Sequence, residues 1–460
     1  MKSVSKRLVL IVGAAMFLLA ACGGQQTTGR TVSGQLLDPY GEPVVYQTIG
    51  IAGLPPKVTD AEGRFEFDDV PAGPYDLIIA QVDIDAGFSS LGASYALRRG
   101  NDFLIFKGLT QDELTLTVVP AGFRQRYSVQ ISGMLNPQRS SDQEAAEPTA
   151  NGVWVVSEPF HARYRFFSSA NADERYGLNF AYGPEASRQA RIFATRWSLD
   201  DDRNAARFLG FYSADLSLNG EDVSQDITLT SLDESHQART VSASIDVPKG
   251  YELDGLRHYL TSSPYGGGVQ TAYFGPDDLG EGSSKHASFV APVVSGLYSN
   301  VQAEISYDFG DVDGGVSVWG VTDGDSITLA VPDPVVPIAP LAGSQLRPET
   351  RFSWTGPDDV LYTVDFVLDY LGGLYAIEVV TTDRELELPD LTQYGVPAGG
   401  VEGGEWYINA VGGQGIPQSM ADLDQESTRL IFSSRNFARY PAQQGFDAFV
   451  YGGEFAPSER

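Results

Sequence analysis

The sequence predicts an all-β protein, with tandem antiparallel β-sandwich domains in a row after a signal peptide. Three observations predict it. The 460 residues hold 50 Gly and 26 Pro beside 22 Tyr and 24 Phe, the mixture of turn formers and strand formers that short strands need. Apolar and polar residues alternate in runs of about four to eight, broken by Gly, Pro, Asp and Asn. One strand pattern also occurs three times: Leu114-Thr115-Leu116-Thr117, Ile227-Thr228-Leu229-Thr230 and Ile327-Thr328-Leu329-Ala330. The copies start 113 and 100 residues apart, and each follows an acidic turn, Gln111-Asp112, Gln225-Asp226 or Gly324-Asp325. Intervals of that size fit domains, so each copy reads as the closing strand of one domain that hands over to the next.

The chain begins with Lys2, Lys6 and Arg7, followed by the apolar run Leu8 to Leu19 and then Ala20-Ala21-Cys22. A basic start, a short apolar stretch and small residues form the layout of a secretory signal peptide. The run falls short of the ~20 apolar residues that span a bilayer. Cys22 is the one cysteine, and the Gly-Gly-Gln-Gln-Thr-Thr that follows has nothing to bury. Leu19-Ala20-Ala21-Cys22 resembles the lipobox of bacterial lipoproteins. The resemblance implies cleavage before Cys22, acylation of its thiol and lipid anchoring in the cell envelope, at an outer membrane or cell surface. Residues 1–21 are then the signal peptide and 22–30 a short tether. With Cys22 in the anchor no disulfide is possible, and stability must come from packed cores.

The formal net charge is −29, and losing Lys2, Lys6 and Arg7 takes it to −32. Nucleic acid demands a basic footprint, so it is excluded as a partner. Lying flat on anionic lipid is disfavoured for the same reason. The membrane is expected as a partner only through the acyl chains on Cys22.

The first domain spans 31–119. Thr31 to Asp38 alternates as a strand, Pro39 to Pro43 turns the chain and Val44 to Ala52 is the next strand. Asp60 to Gly63 supplies a tight hairpin turn, Phe65 and Phe67 share one face, and Tyr75 and Leu77 return to the core after Pro71-Ala72-Gly73. The stretches Val32 to Val44 and Thr59 to Tyr75 together resemble a carboxypeptidase regulatory-like domain. That family implies a small transthyretin-like sandwich and brings no catalytic residues. The segment Gln81 to Asn101 departs from it as an insertion.

The second domain, 120–231, has strands at Tyr127 to Ile131, Val153 to Val156, Ala162 to Phe167, Gly177 to Ala181 and Ala190 to Leu199, with a helix over Ala186 to Ala194 as the alternative there. The third, 232–331, has them at Ser242 to Val247, Ala287 to Val293, Val301 to Tyr307 and Val316 to Val321. Pro332, Pro334, Pro337 and Pro340 make residues 332–341 a stiff extended linker. In the fourth domain, 342–435, Trp354 lies in an early strand, and Tyr407 lies in the later strand Trp406-Tyr407-Ile408-Asn409-Ala410-Val411. With the proline-rich approach, these resemble a fibronectin type III domain. Residues 436–460 read as a tail, irregular or packed on the last domain.

No Gly-x-Ser-x-Gly elbow and no phosphate-binding glycine loop occurs. His161, His236, His258 and His286 lack metal-ligand spacing, so no catalytic residue and no cofactor is expected. Asp308, Asp311 and Asp313 place three carboxylates in a glycine turn and are calcium candidates, although the bidentate Glu of a calcium loop is missing. Asp200-Asp201-Asp202 is a second acidic cluster. Tyr259, Tyr265 and Tyr273, around Pro264 and Gly266-Gly267-Gly268, are candidates for stacking on a sugar or a protein partner. The expected function is non-enzymatic: adhesion, scaffolding or surface display by a lipid-anchored envelope protein. The alternative is a glycan-binding accessory lipoprotein, so the expected partner is an envelope protein or a polysaccharide. The domains are expected to form a stalk with the fibronectin-like end outermost.

Overall fold

The structure is a computed structural model. It describes residues 29–38, 41–82, 102–120, 127–137, 149–156, 164–168, 175–182, 189–202, 204–231, 238–261, 268–294, 296–308, 312–347, 349–370, 373–397, 401–428 and 444–456. Cys22 with its lipobox, Tyr265, Asp311, His161 and His236 lie outside the described residues.

The first region holds β1 (Arg30–Leu37), β2 (Thr48–Ile51), β3 (Lys57–Val58), β4 (Arg64–Val70), β5 (Tyr75–Ala80), β6 (Asp102–Leu109) and β7 (Glu113–Thr117). The second holds β8 (Tyr127–Pro137), β9 (Thr149–Val156), β10 (Tyr164–Ser168), β11 (Arg175–Tyr182), β12 (Gln189–Leu199), β13 (Ala205–Ser217), β14 (Val223–Ser224) and β15 (Ile227–Ser231). The third holds β16 (Ala238–Asp246), β17 (Tyr251–Thr261), β18 (Gly268–Phe274), β19 (Ser284–Pro292), β20 (Tyr298–Asp308), β21 (Asp313–Thr322) and β22 (Ser326–Leu329). The fourth holds β23 (Val336–Ala339), β24 (Ser344–Gln345), β25 (Arg351–Thr355), β26 (Leu361–Tyr370), β27 (Gly373–Thr381), β28 (Glu385–Glu387), β29 (Val401–Gly413) and β30 (Gln444–Ala456). The fold is all-β, as the composition and alternation predict. Residues 189–199 are strand β12, the extended alternative for that stretch.

The three-copy pattern has a structural meaning. Each copy is a closing strand that pairs in parallel with the opening strand of its own region: β7 with β1, β15 with β8 and β22 with β16. In each case the opening strand takes an antiparallel partner on its other side, β4, β11 or β19. The acidic turn fixes the register. The Ser33 and Ser242 amides donate to the carbonyls of Asp112 and Asp325 at 2.9 and 2.8 Å. In the second region the Met134 amide donates to the Asp226 carboxylate at 2.9 Å.

Local readings in the first region also hold. Phe65, Phe67, Tyr75 and Leu77 are all buried. The Asp60 carboxylate accepts the amides of Glu62 and Arg64, and Gly63 has φ +72°. A Cβ on Gly63 would lie 2.6 Å from the Leu36 carbonyl oxygen, so both backbone and space require glycine there.

The order of regions in space differs from their order in the chain. One long sheet runs β18-β17-β20-β21-β30-β29-β26-β27-β6-β5-β2-β3. It joins strands of the third region, then β30, then the fourth region, then the first. The joints are β21 with β30, β30 with β29, and the parallel pair β27 with β6. The expected stalk with its fibronectin-like end outermost is therefore corrected: the fourth region sits between the first and the third. Two parts of the sequence reading change with it. Residues 444–456, within the expected tail, are a strand inside the sheet. The proline-rich linker is held rather than free: Val336–Ala339 pairs with β25, and the Tyr251 and Tyr307 hydroxyls donate to the carbonyls of Pro332 and Val335 at 3.1 Å. Proline suits β23 because an edge strand can spare an amide donor.

Alternate residues of the long sheet feed different cores. On β5 and β6, Ile78, Ala80, Phe103 and Ile105 join the core under β23-β25-β28 and β19-β16-β22. Leu77, Ile79, Leu104 and Phe106 face the other way, into the core under β4-β1-β7, where Leu361, Val380, Met420 and Leu423 of the fourth region join them. The second region has a core of its own and shares a second one with the third, where Trp154, Trp197 and Phe193 meet Val241, Leu260 and Val269.

Candidate functional site

The small sheets cover one face of the long sheet from β27 to β18. On the opposite face the core under β4-β1-β7 reaches Leu361 and Val380 on β26 and β27, and Asn300, Gln302 and Trp319 on β20 and β21 are also buried. The predicted site residues lie on or near this second face.

Tyr259 and Tyr273 lie on neighbouring strands, β17 and β18, and flank Arg257, which pairs with Tyr273 in the hairpin. The Arg257 guanidinium carbon lies 5.5 Å from the centre of the Tyr273 ring, and the guanidinium is ion-paired with Glu304 on β20. Burial works against the Arg257 charge, but Glu304 and the two tyrosines outweigh it and hold its pKa above the ordinary value. The Tyr273 hydroxyl donates to the Asp254 carbonyl at 3.2 Å. Tyr273 is 43% exposed, yet its ring already carries a guanidinium.

Asp308 and Asp313 face each other across the end of the β20–β21 pair, both exposed. Among the described residues no three carboxylate, histidine or cysteine side chains gather as a metal site. The Asp200 carboxylate accepts the Asn204 amide at 2.7 Å and closes the β12–β13 turn. His258 is wholly buried, stacked on Phe289 with centroids 4.9 Å apart, and its Nδ1 meets the Thr271 hydroxyl. Burial first, and Arg239 second, push its pKa down to about 3. It is a neutral core side chain.

The feature that sequence reading missed lies on β29 and β30. Trp406, Ile408, Ala410, Ala448 and Val450 point into the core, so Tyr407, Asn409, Asp447, Phe449 and Tyr451 point to the opposite face, where Tyr407, Asn409 and Phe449 are half-buried. The rings form a platform. Tyr407 and Phe449 stack with centroids 5.6 Å apart at 22°, and Tyr407 and Tyr451 lie 5.3 Å apart. Phe449 is paired with Gly315 on β21, which has no side chain to cover it. At Gly452-Gly453 a bulge shifts the register, so Glu454 lands opposite Glu405. Burial first, then the carboxylates of Glu454 and Glu405, push the Tyr451 hydroxyl up to about 12. Deeper in the same face, Asn409 Nδ2 donates to Asp365 Oδ2 at 2.8 Å, and Asp365 is paired with the equally buried Glu378. The alternation of Asp447, Phe449 and Tyr451 against Ala448 and Val450 was the available signal. The face can stack and hydrogen-bond.

At the other face, the fourth region ends in a cavity of about 510 Å³. Phe352, Ile377, Leu391 and Val401 line it, with Arg347 and Asp390 among the residues around it. Among the described residues no helix is long and apolar enough to cross a membrane.

No protein-family model matches the chain, and no curated protein matches it. Solved structures give distant likenesses. A leucine-rich repeat protein from Bacteroides thetaiotaomicron is 8% identical over 45% of this chain and 26% of its own, with a TM-score of 0.18. This chain thus spans about a quarter of that protein. A fimbrial assembly protein from Parabacteroides distasonis is 10% identical over 45% of this chain and 99% of its own, with a TM-score of 0.17. A streptococcal ancillary pilin is 8% identical over 65% of this chain and 98% of its own, with a TM-score of 0.14. At such TM-scores no residue and no role is carried over.

Proposed function

We propose that this chain is a non-enzymatic cell-envelope protein, held by acyl chains on Cys22, that serves adhesion, scaffolding or surface display. The observation that carries the reading is the long sheet itself. It carries an aromatic platform on its second face, and its one hydroxyl–imidazole contact among the bonds described, Thr271 with His258, is buried in the core. The Cys22 tether leads directly into the first region, and the parallel β27–β6 pair sets the fourth region beside it. The third region then lies farther along the sheet, with the second packed against it through their shared core, and these are the outermost parts displayed.

The test is fractionation of cells expressing the chain and its Cys22→Ser variant, followed by protease treatment of intact cells. The wild type should pellet with membranes, and the variant should be released or left unprocessed. Cleavage should come first in the second region. Unchanged fractionation of the variant overturns the anchor.

Glycan capture is the second reading, because half-exposed rings on flat strands also suit sugar faces. Retention by polysaccharide but not by protein partners would select it.

A further inference from the structure

We infer that the cavity at the end of the fourth region is a binding site for a small apolar molecule with a single carboxylate, the chemistry of a medium-chain fatty acid. The inference goes beyond the envelope reading and does not depend on the anchor.

The cavity measures about 510 Å³, a size typical of small-molecule sites and far above the voids of a packed interior. Its walls are core side chains. Leu346, Phe352, Ile377, Leu391, Val396 and Val401 all line it, and all are buried. The floor is firmly held: Phe352 lies edge-on to Phe366, Trp406 and Phe455, with centroids 4.7, 5.2 and 6.0 Å away. A wall fixed in this way needs little ordering when a ligand enters. An apolar chain placed there leaves water for a surface already formed.

The polar groups of the lining select the head of the ligand. Arg347 and Tyr370 both line the cavity. They stand at the same end of the long sheet. Ser344 and Gln345 pair with Phe455 and Ala456, Phe455 pairs with Gly404, and farther along β29 Val401 pairs with Tyr370. Arg351 and Arg384 of the same region are ion-paired, with Glu385, Glu387 and Asp358. Among the described residues the Arg347 guanidinium has no such partner, and only its backbone amide and carbonyl are engaged, both with Thr350. The Tyr370 ring packs edge-on against Tyr375 at 5.3 Å, and its hydroxyl has no hydrogen bond among the described residues. Burial pushes the Tyr370 pKa up, so the hydroxyl keeps its proton and can donate. The carboxylate in the lining, Asp390, is exposed and already accepts the Thr392 amide at 2.9 Å. Two unused donors and a lone cation fit one carboxylate. A net charge of −29 repels polyanions, and an uncharged or cationic amphiphile leaves the guanidinium unmatched.

The experiment is a calorimetric titration with decanoate, kept below its micelle concentration. It uses the mature chain as Cys22→Ser, so that no acyl group or detergent competes. Decanoate should fill a single saturable site. Decanol and decyltrimethylammonium, which keep the chain and change the head, should bind at least about fivefold more weakly. Arg347→Gln should weaken decanoate about fivefold and Tyr370→Phe about threefold. Leu388→Trp, which sets an indole into the lining, should abolish binding. The control Arg351→Gln removes the same charge beside Phe352, on the side of β25 turned away from the core, and should bind like wild type. No decanoate binding, equal losses in the two arginine variants, or binding untouched by Leu388→Trp overturns the inference. Should Leu388→Trp melt early, the arginine pair, both exposed, still decides. Binding to phosphatidylglycerol vesicles that Arg347→Gln abolishes, without decanoate binding, overturns it in favour of a lipid headgroup. Fractionation of wild type against Cys22→Ser tests the envelope reading separately.

Discussion

Asn204 Oδ1 accepts the backbone N–H of Tyr273 at 2.9 Å. The bond joins the second region to β18, the last strand of the long sheet, whose outer amides would otherwise lack a sheet partner. Asn204 is 8% exposed, so water does not replace it easily. Asn204→Ala should destabilise the protein by about 1–2 kcal/mol in urea unfolding, and Asn204→Asp, which keeps an acceptor, by less. Equal stability of Asn204→Ala and wild type would show that the edge is satisfied another way.

His258 sets a pH dependence. Its folded-state pKa of about 3 lies below the ordinary histidine value of 6.5. The unfolded chain therefore binds a proton that the folded chain refuses. The contribution to stability is complete above pH ~6.5 and is lost as pH falls, by about 1.4 kcal/mol per unit, towards the folded pKa. His258→Phe should flatten stability against pH by one proton between pH ~6 and ~4. Parallel curves for variant and wild type would count against a neutral buried imidazole.

The first and fourth regions should unfold together. The Thr117 amide donates to Thr428 Oγ1 at 2.8 Å, and Gln111 Nε2 donates to the Met420 carbonyl at 2.6 Å, across some 310 residues of chain. Thr428→Val should cost about 1–3 kcal/mol by stranding a buried amide, and Thr428→Ser should restore most of it. A fragment of residues 342–435 lacks both β6 and β30, and its circular dichroism should show no cooperative melt.

Adjacent residues Trp406 and Tyr407 should behave oppositely. Trp406 is buried against Phe352 and Phe366, with centroids 5.2 and 6.4 Å away. Trp406→Ala should cost about 3–5 kcal/mol. Tyr407→Ala, half-buried on the opposite face, should cost about 1 kcal/mol by the same melting measurement. Similar losses would mean that both sides of β29 are core.

Local features were legible in the sequence, and long-range ones were not. Leu114, Ile227 and Ile327 announced equivalent closing strands because each strand is specified by its own alternation and preceding turn. Phe65 and Phe67 announced their face for the same reason. The β27–β6 pairing left no such trace, because edge choice depends on which surfaces meet after the domains form. Gly445, Gly452 and Gly453 disguised β30 as a tail, although close packing needs them: a Cβ on Gly452, at the bulge, would lie 2.4 Å from the Trp406 ring, and one on Gly445 2.4 Å from the Gly412 carbonyl oxygen. Tyr273 drew attention as an aromatic in a glycine-rich setting, yet Arg257 already occupies its ring. Tyr407 read as a sandwich hallmark and instead stacks with Phe449 and Tyr451 on the second face of the long sheet.

The parallel pairing of opening and closing strands has a mechanical consequence. In the first region β1 begins at Arg30 and β7 ends at Thr117, and because the two run the same way these points lie at opposite ends of the pair. Tension applied between them loads the rungs from Ser33–Glu113 to Leu37–Thr117 in shear, all at once, whereas an antiparallel hairpin would unzip one rung at a time. The same geometry recurs at β8–β15 and β16–β22. A chain tethered at one end and gripped at the other would thus resist pulling at three separate clamps, without any covalent cross-link.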